Sequence, residues 1–121
     1  MNNCISCKIA NGSIPSKIIY EDEIVLAFLD INPETPGHTL IIPKQHFQDI
    51  DDIDEKTYLH IFNVSKNLKK TLIDKLHCDG ITLIQNNGEC QDVKHYHLHL
   101  RPYYKSSNTM SIEQVYDKIM H

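Results

Sequence analysis

Hydrophobic side chains recur every third or fourth residue in the middle of the chain and predict one long amphipathic helix. The periodic positions on this face are Tyr58, Ile61, Phe62, Ser65, Leu68, Leu72 and Leu76. Asp54 is suited to the N-cap, because its carboxylate can accept hydrogen bonds from the free N–H groups of the first turn. Gly80 is suited to end the helix. The pattern indicates a core helix with no chemistry of its own.

Shorter runs rich in β-branched and aromatic residues predict strands on both sides of this helix. The predicted strands are residues 16–21, 24–29, 38–43 and 80–85. Turn-forming residues separate them, including a loop with two prolines at 30–37 and Asn86-Asn87-Gly88. A short amphipathic helix is expected at about 111–120, capped by Ser111.

Histidines alternate with hydrophobic residues from His95 to Leu100, within the stretch 92–102. On a strand, alternate side chains face opposite sides, so the three imidazoles would share one face and the hydrophobic residues the other. On a helix, the same spacing would place successive histidines about 200° apart. The alternation therefore predicts a half-buried fifth strand that presents a row of imidazoles.

A row of imidazoles indicates chemistry, because imidazole acts near neutral pH as a nucleophile, a general base and a metal ligand. The alternative is that the histidines only fill the polar face of an amphipathic strand. Chemistry is favoured because no charged residue interrupts the row. His38 and His46 become candidates if they meet this row in space. Asn86, Gln91 and nearby loop amides could donate hydrogen bonds to an anion held over the histidines.

Composition narrows the class of protein. The 121 residues are 40% hydrophobic and 23% charged, as in an ordinary soluble globular domain. A net charge of −4 gives no electrostatic case for binding nucleic acid or acidic membranes. No apolar run approaches the roughly 18–20 residues that span a bilayer, and the N-terminus does not resemble a secretory signal. We expect one cytoplasmic α+β domain with a mainly antiparallel five-stranded sheet, one long helix and short terminal helices.

Cys4 and Cys7 form a CxxC pair that runs toward Gly12. The spacing suits a short helix or half of a zinc site, which would need two more ligands. A thioredoxin-type redox pair would require a βαβ unit, which the strand pattern does not predict. Two unlinked cysteines are the third alternative. Zinc is favoured because histidines are abundant downstream.

The segment His95-Tyr96-His97-Leu98-His99-Leu100 resembles the HxHxH signature of the histidine triad (HIT) nucleotide-binding family. The resemblance extends upstream through 27–33 and 36–46 and covers positions 4–103 of the chain. It implies a single HIT-like domain over 1–121 and a nucleotide hydrolase or transferase acting on purine nucleotides such as AMP or GMP derivatives. Family members generally pair through the long helix and a sheet edge, so a homodimer is expected.

By this resemblance, His97 is the nucleophile that attacks the α-phosphorus of a nucleoside 5'-phosphoramidate or a related nucleotidyl substrate. His99 and His38 would contact phosphate and handle protons. The other implied substrate-binding residues are Asp30 at the ribose, Phe28, Ile31 and Leu40 at the base, and Asn86 and Gln91 at phosphate. The alternatives are a dinucleoside polyphosphate hydrolase that also uses His97, and a zinc-stabilised nucleotide-binding module with little turnover.

The CxxC pair resembles that of the Hint-like, zinc-containing branch of the family. That resemblance implies the ligands Cys4, Cys7, His46 and His95. Two thiolates and two imidazoles suit a tetrahedral structural zinc site with no open position.

Two departures from the family pattern concern the leaving group. Asp92 stands where a small hydroxyl residue is common, after a shortened loop at 88–91, and its carboxylate would repel phosphate unless it is paired or turned away. Arg101 stands where relatives often have an aliphatic residue.

Overall fold

The computed structural model of the protein describes residues 4–121, and within that range the chain forms three α-helices, five strands and one 3-10 turn. The helices are α1 (Ile5–Ala10), α2 (Glu55–Leu76) and α3 (Ile112–Met120). The strands are β1 (Ile18–Glu21), β2 (Val25–Leu29), β3 (Thr39–Pro43), β4 (Gly80–Ile84) and β5 (Leu98–Tyr103). The 3-10 turn, Gly88–Cys90, lies between β4 and β5.

All strand pairs are antiparallel, and the strands form one sheet in the order β1-β2-β3-β5-β4. β5 therefore lies between β3 and β4, where His99 faces Leu40 on one neighbour and Ile84 on the other. The predicted α+β class, with a five-stranded antiparallel sheet and one long helix, is confirmed. This position places the end of the histidine row inside the sheet rather than at its edge.

The hydrophobic core lies between α2 and one face of the sheet. The side chains of α2 that are buried there are Ile61, Val64, Ser65, Leu68, Leu72 and Leu76. A smaller cluster of Leu26, Phe28 and Ile42 lies on the other face, with Ile9 of α1 packed against it. β2 is buried along its whole length because both faces of the sheet are covered at this point.

Both predicted N-caps are confirmed. The backbone N–H of Thr57 donates to the Asp54 carboxylate at 3.1 Å, and that of Gln114 donates to Ser111 Oγ at 3.1 Å. Such caps satisfy N–H groups that have no partner within the helix.

The predicted end of α2 at Gly80 is wrong. The helix ends at Leu76, and the C-cap residue His77 adopts the left-handed conformation with φ 55° and donates its N–H to the Ile73 carbonyl. Gly80 is instead the first residue of β4. In the part of the chain that the structure describes, no helix is both long and apolar enough to cross a membrane.

The predicted histidine strand is too long, because β5 begins only at Leu98. The preceding backbone pairs with a loop instead, since the N–H of Tyr96 donates to the Phe47 carbonyl at 2.6 Å. The hydrophobic residues of the alternating pattern are nevertheless buried as predicted. Tyr96, in the irregular segment, and Leu98 and Leu100, in β5, all lie in the core.

Candidate functional site

Four side chains from distant parts of the sequence converge where the N-terminal segment meets the residues before β5. The distance from Cys7 Sγ to His46 Nδ1 is 3.2 Å, and those from His95 Nδ1 to Cys4 Sγ, Cys7 Sγ and His46 Nδ1 are 3.3, 3.4 and 3.1 Å. A tetrahedron with metal–nitrogen and metal–sulfur bonds of about 2.0–2.3 Å has edges of roughly 3.3–3.8 Å. These four residues, here called the cysteine–histidine cluster, are therefore spaced almost as metal ligands are.

Backbone contacts orient the side chains of the cysteine–histidine cluster. Cys4 is the N-cap of α1, and its Sγ accepts the backbone N–H of Cys7 at 3.3 Å, so one helical turn holds both thiols together. On the opposite side, His95 Nε2 lies 2.9 Å from the Pro43 carbonyl oxygen. A carbonyl can only accept, so Nε2 carries the proton and the Nδ1 lone pair faces the thiols.

The chemistry of this donor set fits a metal ion. Burial and the neighbouring Cys4 raise the pKa of the Cys7 thiol to about 11, so the Cys7 thiolate, which is the form that ligates a metal, needs a compensating cation nearby. Burial also lowers the pKa of His95, which favours the neutral imidazole that ligates metals. The arrangement is therefore suited to a closed structural site of the zinc type.

A second set of side chains, here called the Asp30–His38–His99 group, lies at the other end of the histidine row. His38 Nε2 is 2.9 Å from His99 Nδ1 and 3.8 Å from the Asp30 carboxylate. The backbone N–H of Glu34 donates to His38 Nδ1 at 3.2 Å. His38 Nδ1 therefore holds no proton in the neutral ring, so Nε2–H donates to His99 Nδ1 and leaves the proton of His99 on its Nε2. The Glu34 N–H, His38 and His99 therefore form a directed hydrogen-bond chain, with the Asp30 carboxylate beside it.

Burial keeps both imidazoles of this chain neutral at neutral pH. It lowers the pKa of His38. Burial, together with the nearby His97 and His38, lowers the pKa of His99 to about 4. His99 thus presents an uncharged N–H donor rather than an imidazolium.

His97 lies between the two sets. Its Nδ1 is 2.7 Å from the backbone carbonyl of His95, so Nδ1 carries the proton and donates, and Nε2 keeps a free lone pair. Its ring centroid lies 4.8 Å from that of His99, with the rings at 72°. The side chain is only 6% exposed, which holds the ring in one orientation. In this tautomer the fixed ring has its Nε2 lone pair available for nucleophilic attack.

A small cleft of about 140 Å³ opens on the same side of the sheet. Its lining residues are Glu34, His38, Ile84, Asn86, Asp92, His99 and Arg101. The cleft therefore brings Asn86 to the Asp30–His38–His99 group, and it also places the carboxylate-bearing Asp92 at the wall.

The residues expected at the nucleoside lie next to this cleft. Across the sheet, His99 pairs with Leu40 and Leu40 pairs with Phe28, so the three side chains form a cross-strand row on one face. Phe28 is buried, Leu40 is half-buried and Ile31 is 74% exposed at the start of the following loop. This row continues the face of the histidines with apolar surface.

Comparison with known proteins agrees with this geometry. The HIT domain model matches residues 11–106. The chain belongs to the HIT family. Over 106 residues it is 47% identical to an uncharacterised HIT-like protein of Methanocaldococcus jannaschii, covering 84% of this chain and 80% of that protein. Over 101 residues it is 42% identical to a protein of Saccharomyces cerevisiae named adenosine 5'-monophosphoramidase, covering 82% of this chain and 61% of that protein.

Among solved structures, a zinc-bound histidine triad family protein from Mycobacterium smegmatis has a TM-score of 0.88 and 32% identity to this chain. The match covers 98% of this chain and 94% of that protein. The resemblance stated for the HxHxH segment is thus confirmed at the level of the family, which includes proteins named as nucleotide hydrolases.

Gln91, one of the predicted site residues, is not among the residues that line the small cleft. Gln91 is only 3% exposed, and its Nε2 donates to the backbone carbonyl of Gln48. A role for Gln91 in phosphate binding stays a prediction, and it requires the side chain to exchange this partner for substrate.

Sequence reasoning did not assign Glu34 and Arg101 to this site. Both line the cleft, and their side chains form an ion pair. Arg101 could have been found from the alternation itself, because it follows His97 and His99 at the same spacing of two residues. Glu34 lies in the two-proline loop, and no local pattern indicates where that loop folds.

Proposed function

We propose that this HIT protein is a nucleotidyl hydrolase that cleaves purine nucleoside 5'-phosphoramidates at the α-phosphate through a nucleotidyl-histidine on His97. The observation that carries the proposal is the contact of His97 Nδ1 with the His95 carbonyl. Because Nδ1–H is donated to the His95 carbonyl, the neutral form of the ring carries its one proton on Nδ1 and leaves the lone pair of Nε2 free. A neutral imidazole can attack phosphorus without a metal ion.

In the first step, the Nε2 lone pair forms a bond to the α-phosphorus. The phosphorus–nitrogen bond of the substrate breaks, and the amine leaves with its electron pair and takes up one proton. In the second step, a water oxygen bonds to phosphorus and the electrons of the histidine–phosphorus bond return to Nε2. Over the cycle, water supplies the hydroxyl of the nucleoside monophosphate and the proton of the amine.

The remaining residues of the site have roles consistent with these steps. His99 donates its Nε2–H to a phosphoryl oxygen, and His38 fixes that tautomer and exchanges protons with it. Asp30 accepts hydrogen bonds from the ribose hydroxyls, while Phe28, Leu40 and Ile31 contact the base. The half-buried position of Asp30, two residues after Phe28 on the same side, supports this assignment.

The cysteine–histidine cluster would hold a structural zinc ion. Zinc there would join the N-terminal segment to the residues before β5 and fix the backbone carbonyl of His95, which orients His97. The tetrahedral spacing and the zinc-bound M. smegmatis relative support this assignment. With all four positions taken by protein ligands, such a site has no room for substrate.

Assembly as a homodimer and a cytoplasmic location stay predictions. β4 is an edge strand with Leu83 exposed, which supports pairing with a second copy through the sheet. The two alternatives in function are distinguished by substrate. A dinucleoside polyphosphate hydrolase would use the same His97, and a binding module with little turnover is suggested by the carboxylate of Asp92 at the cleft.

The test compares wild type with His97→Asn. The amide nitrogen of asparagine can replace Nδ1 as donor to the His95 carbonyl, whereas nothing replaces Nε2. With adenosine 5'-phosphoramidate as substrate, we expect AMP release to fall by at least about 1,000-fold while the fold persists, in line with loss of a nucleophile. His77→Asn, at the end of α2, is the control and keeps full activity because Asn also tolerates the left-handed conformation.

Unchanged turnover in His97→Asn would overturn the proposal. If the protein cleaves diadenosine polyphosphate but not the phosphoramidate, and His97 is still required, the alternative of a dinucleoside polyphosphate hydrolase is favoured. Binding of nucleotide with no product under single-turnover conditions would favour the binding module.

A further inference from the structure

Arg101 continues the histidine row on β5. Leu98, Leu100 and Pro102 are buried toward the core, so the residues between them face the opposite side, where His99 and Arg101 are both half-buried. Across the sheet, Arg101 lies opposite Thr82 of β4. The guanidinium therefore occupies the position that follows the histidines on the reactive face.

The guanidinium is paired with a loop residue, Glu34, that also contacts His38. Nη1 of Arg101 donates to the carboxylate of Glu34, and the exposed fractions of the two side chains are 32% and 60%. The backbone N–H of Glu34 is the group that fixes the tautomer of His38. Glu34 thus holds His38 through its backbone and Arg101 through its side chain.

This ion pair stands at the boundary between two clefts. One is the 140 Å³ cleft that contains His38 and His99. The other, of about 380 Å³, is also lined by Glu34 and Arg101, together with polar side chains. The polar residues of this second cleft include Thr82, Tyr104, Ser106, Ser107 and Asn108. Among the residues that line the two clefts in the described chain, Arg101 is the one permanent cation.

A substrate held at His97 needs space for its leaving group apart from the apolar row that suits the nucleoside. The second cleft offers that space, and its polar lining suits a polar group. A guanidinium binds a carboxylate or a phosphate through two parallel hydrogen bonds. The carboxylate of Glu34, being more than half exposed, can move into water at little cost when another anion replaces it.

We propose that Arg101 is a specificity-determining residue that binds an anionic group, carboxylate or phosphate, on the leaving group. Glu34 holds the guanidinium in place until that group displaces it. The inference rests on the proposed nucleotidyl hydrolase activity, and it concerns which leaving groups the enzyme prefers.

The test uses a matched pair of substrates, the adenosine 5'-phosphoramidates of glycine and of glycinamide, which differ in one negative charge. Diadenosine tetraphosphate is the third substrate, so that a carboxylate and a phosphate can be told apart. We expect wild type to prefer the glycine compound or the tetraphosphate. Arg101→Gln should reduce the ratio of kcat/KM for the anionic substrate over the glycinamide compound by about tenfold, the effect of one lost charge-assisted contact.

Glu34→Gln should move the same ratio in the opposite direction, because it removes the competing carboxylate and keeps the backbone N–H that binds His38. The control is Lys44→Gln, which breaks the Lys44–Glu21 pair of similar exposure, 30% and 47%, outside both clefts. It should leave the ratio unchanged. A ratio that depends on Arg101 only for the glycine compound, or only for the tetraphosphate, supports the inference and identifies the anion.

Equal losses on charged and neutral substrates in Arg101→Gln would overturn the inference while the proposed hydrolase stands. If wild type cleaves none of the three compounds, the proposed function fails. The affinities of the glycine and glycinamide compounds then give a separate readout. They are measured on the His97→Asn protein and on the His97→Asn, Arg101→Gln double variant. Equal affinities for the glycine and glycinamide compounds in both proteins would overturn the role of Arg101 as well.

Discussion

The cysteine–histidine cluster and the Asp30–His38–His99 group have similar distances between their side-chain donor atoms. They differ in which ring nitrogen of each histidine carries the proton. Each brings two imidazole nitrogens about as close, 3.1 Å for His46 and His95 and 2.9 Å for His38 and His99. In each, the potential ligand atoms lie within 4.8 Å of one another. Proximity alone would identify both as metal sites.

The second ring nitrogen separates the two. His95 donates Nε2–H to a carbonyl, so a bare Nδ1 faces the thiols and a cation is needed between the donors. His38 accepts a backbone N–H at Nδ1, so its own Nε2–H fills the space toward His99. A single backbone contact thus makes one set suited to a metal and the other to hydrogen bonding with substrate. Each of the following predictions tests whether the two sets differ in this way.

The largest expected effect is loss of the metal. Protein prepared without added metal should contain about one zinc ion per chain, and Cys7→Ser should lower this to less than about 0.1. Because binding energy at a structural zinc site is also folding energy, we expect the melting temperature of the variant to fall by at least about 10 °C. Metal analysis and thermal unfolding measure the two effects.

Cys90→Ser is the matched control, since Cys90 is exposed, lies outside the cysteine–histidine cluster, and donates from Sγ to the backbone carbonyl of Asn87. It should keep both zinc and stability. If Cys7→Ser retained a full equivalent of zinc, the ligand set would be wrong.

The residues that belong to each of the two sets can largely be predicted from the sequence. The spacing of His95, His97 and His99 indicates a shared site, and resemblance supplies Cys4 and Cys7 as ligands. What sequence does not provide is the protonation of each ring, because the deciding partners, such as the carbonyl of Pro43, are backbone atoms brought close by the fold. The same holds for the short β5, whose missing half pairs with a loop instead of a strand.

Arg101 marks another limit of sequence reasoning. Its position on β5 could be read from the alternation, but its partner Glu34 lies in a loop distant in sequence. The end of α2 is a further case, because the non-glycine residue His77 takes the left-handed C-cap conformation for which a glycine such as Gly80 is the usual residue. In each of these cases, a contact between distant segments or a tolerated strain decides against the local preference.

A smaller effect is expected from breaking the hydrogen-bond chain. His38→Leu removes the donor that fixes the tautomer of His99, and we expect kcat for adenosine 5'-phosphoramidate to fall about 100-fold, within the usual range for lost proton handling. His38→Gln retains an N–H donor and should lose less. Zinc content should stay at one per chain in both variants, because the two sets of residues share no member. Joint loss of zinc and activity would show that they are not independent.

The smallest expected effect is a difference of one proton. His99 should titrate with a midpoint near 4, well below the ordinary value of 6.5, because burial and the neighbouring His97 and His38 disfavour its charged form. Between pH 6.5 and 4 the unfolded chain then binds more protons than the folded one at this residue, so its contribution to the free energy of unfolding decreases as pH falls through that window. NMR of the imidazole carbons, assigned with His99→Gln, measures the midpoint. A midpoint at or above neutral pH would mean that His99 is mostly charged at the cleft, and the neutral hydrogen-bond chain that distinguishes it from the cysteine–histidine cluster would have to be abandoned.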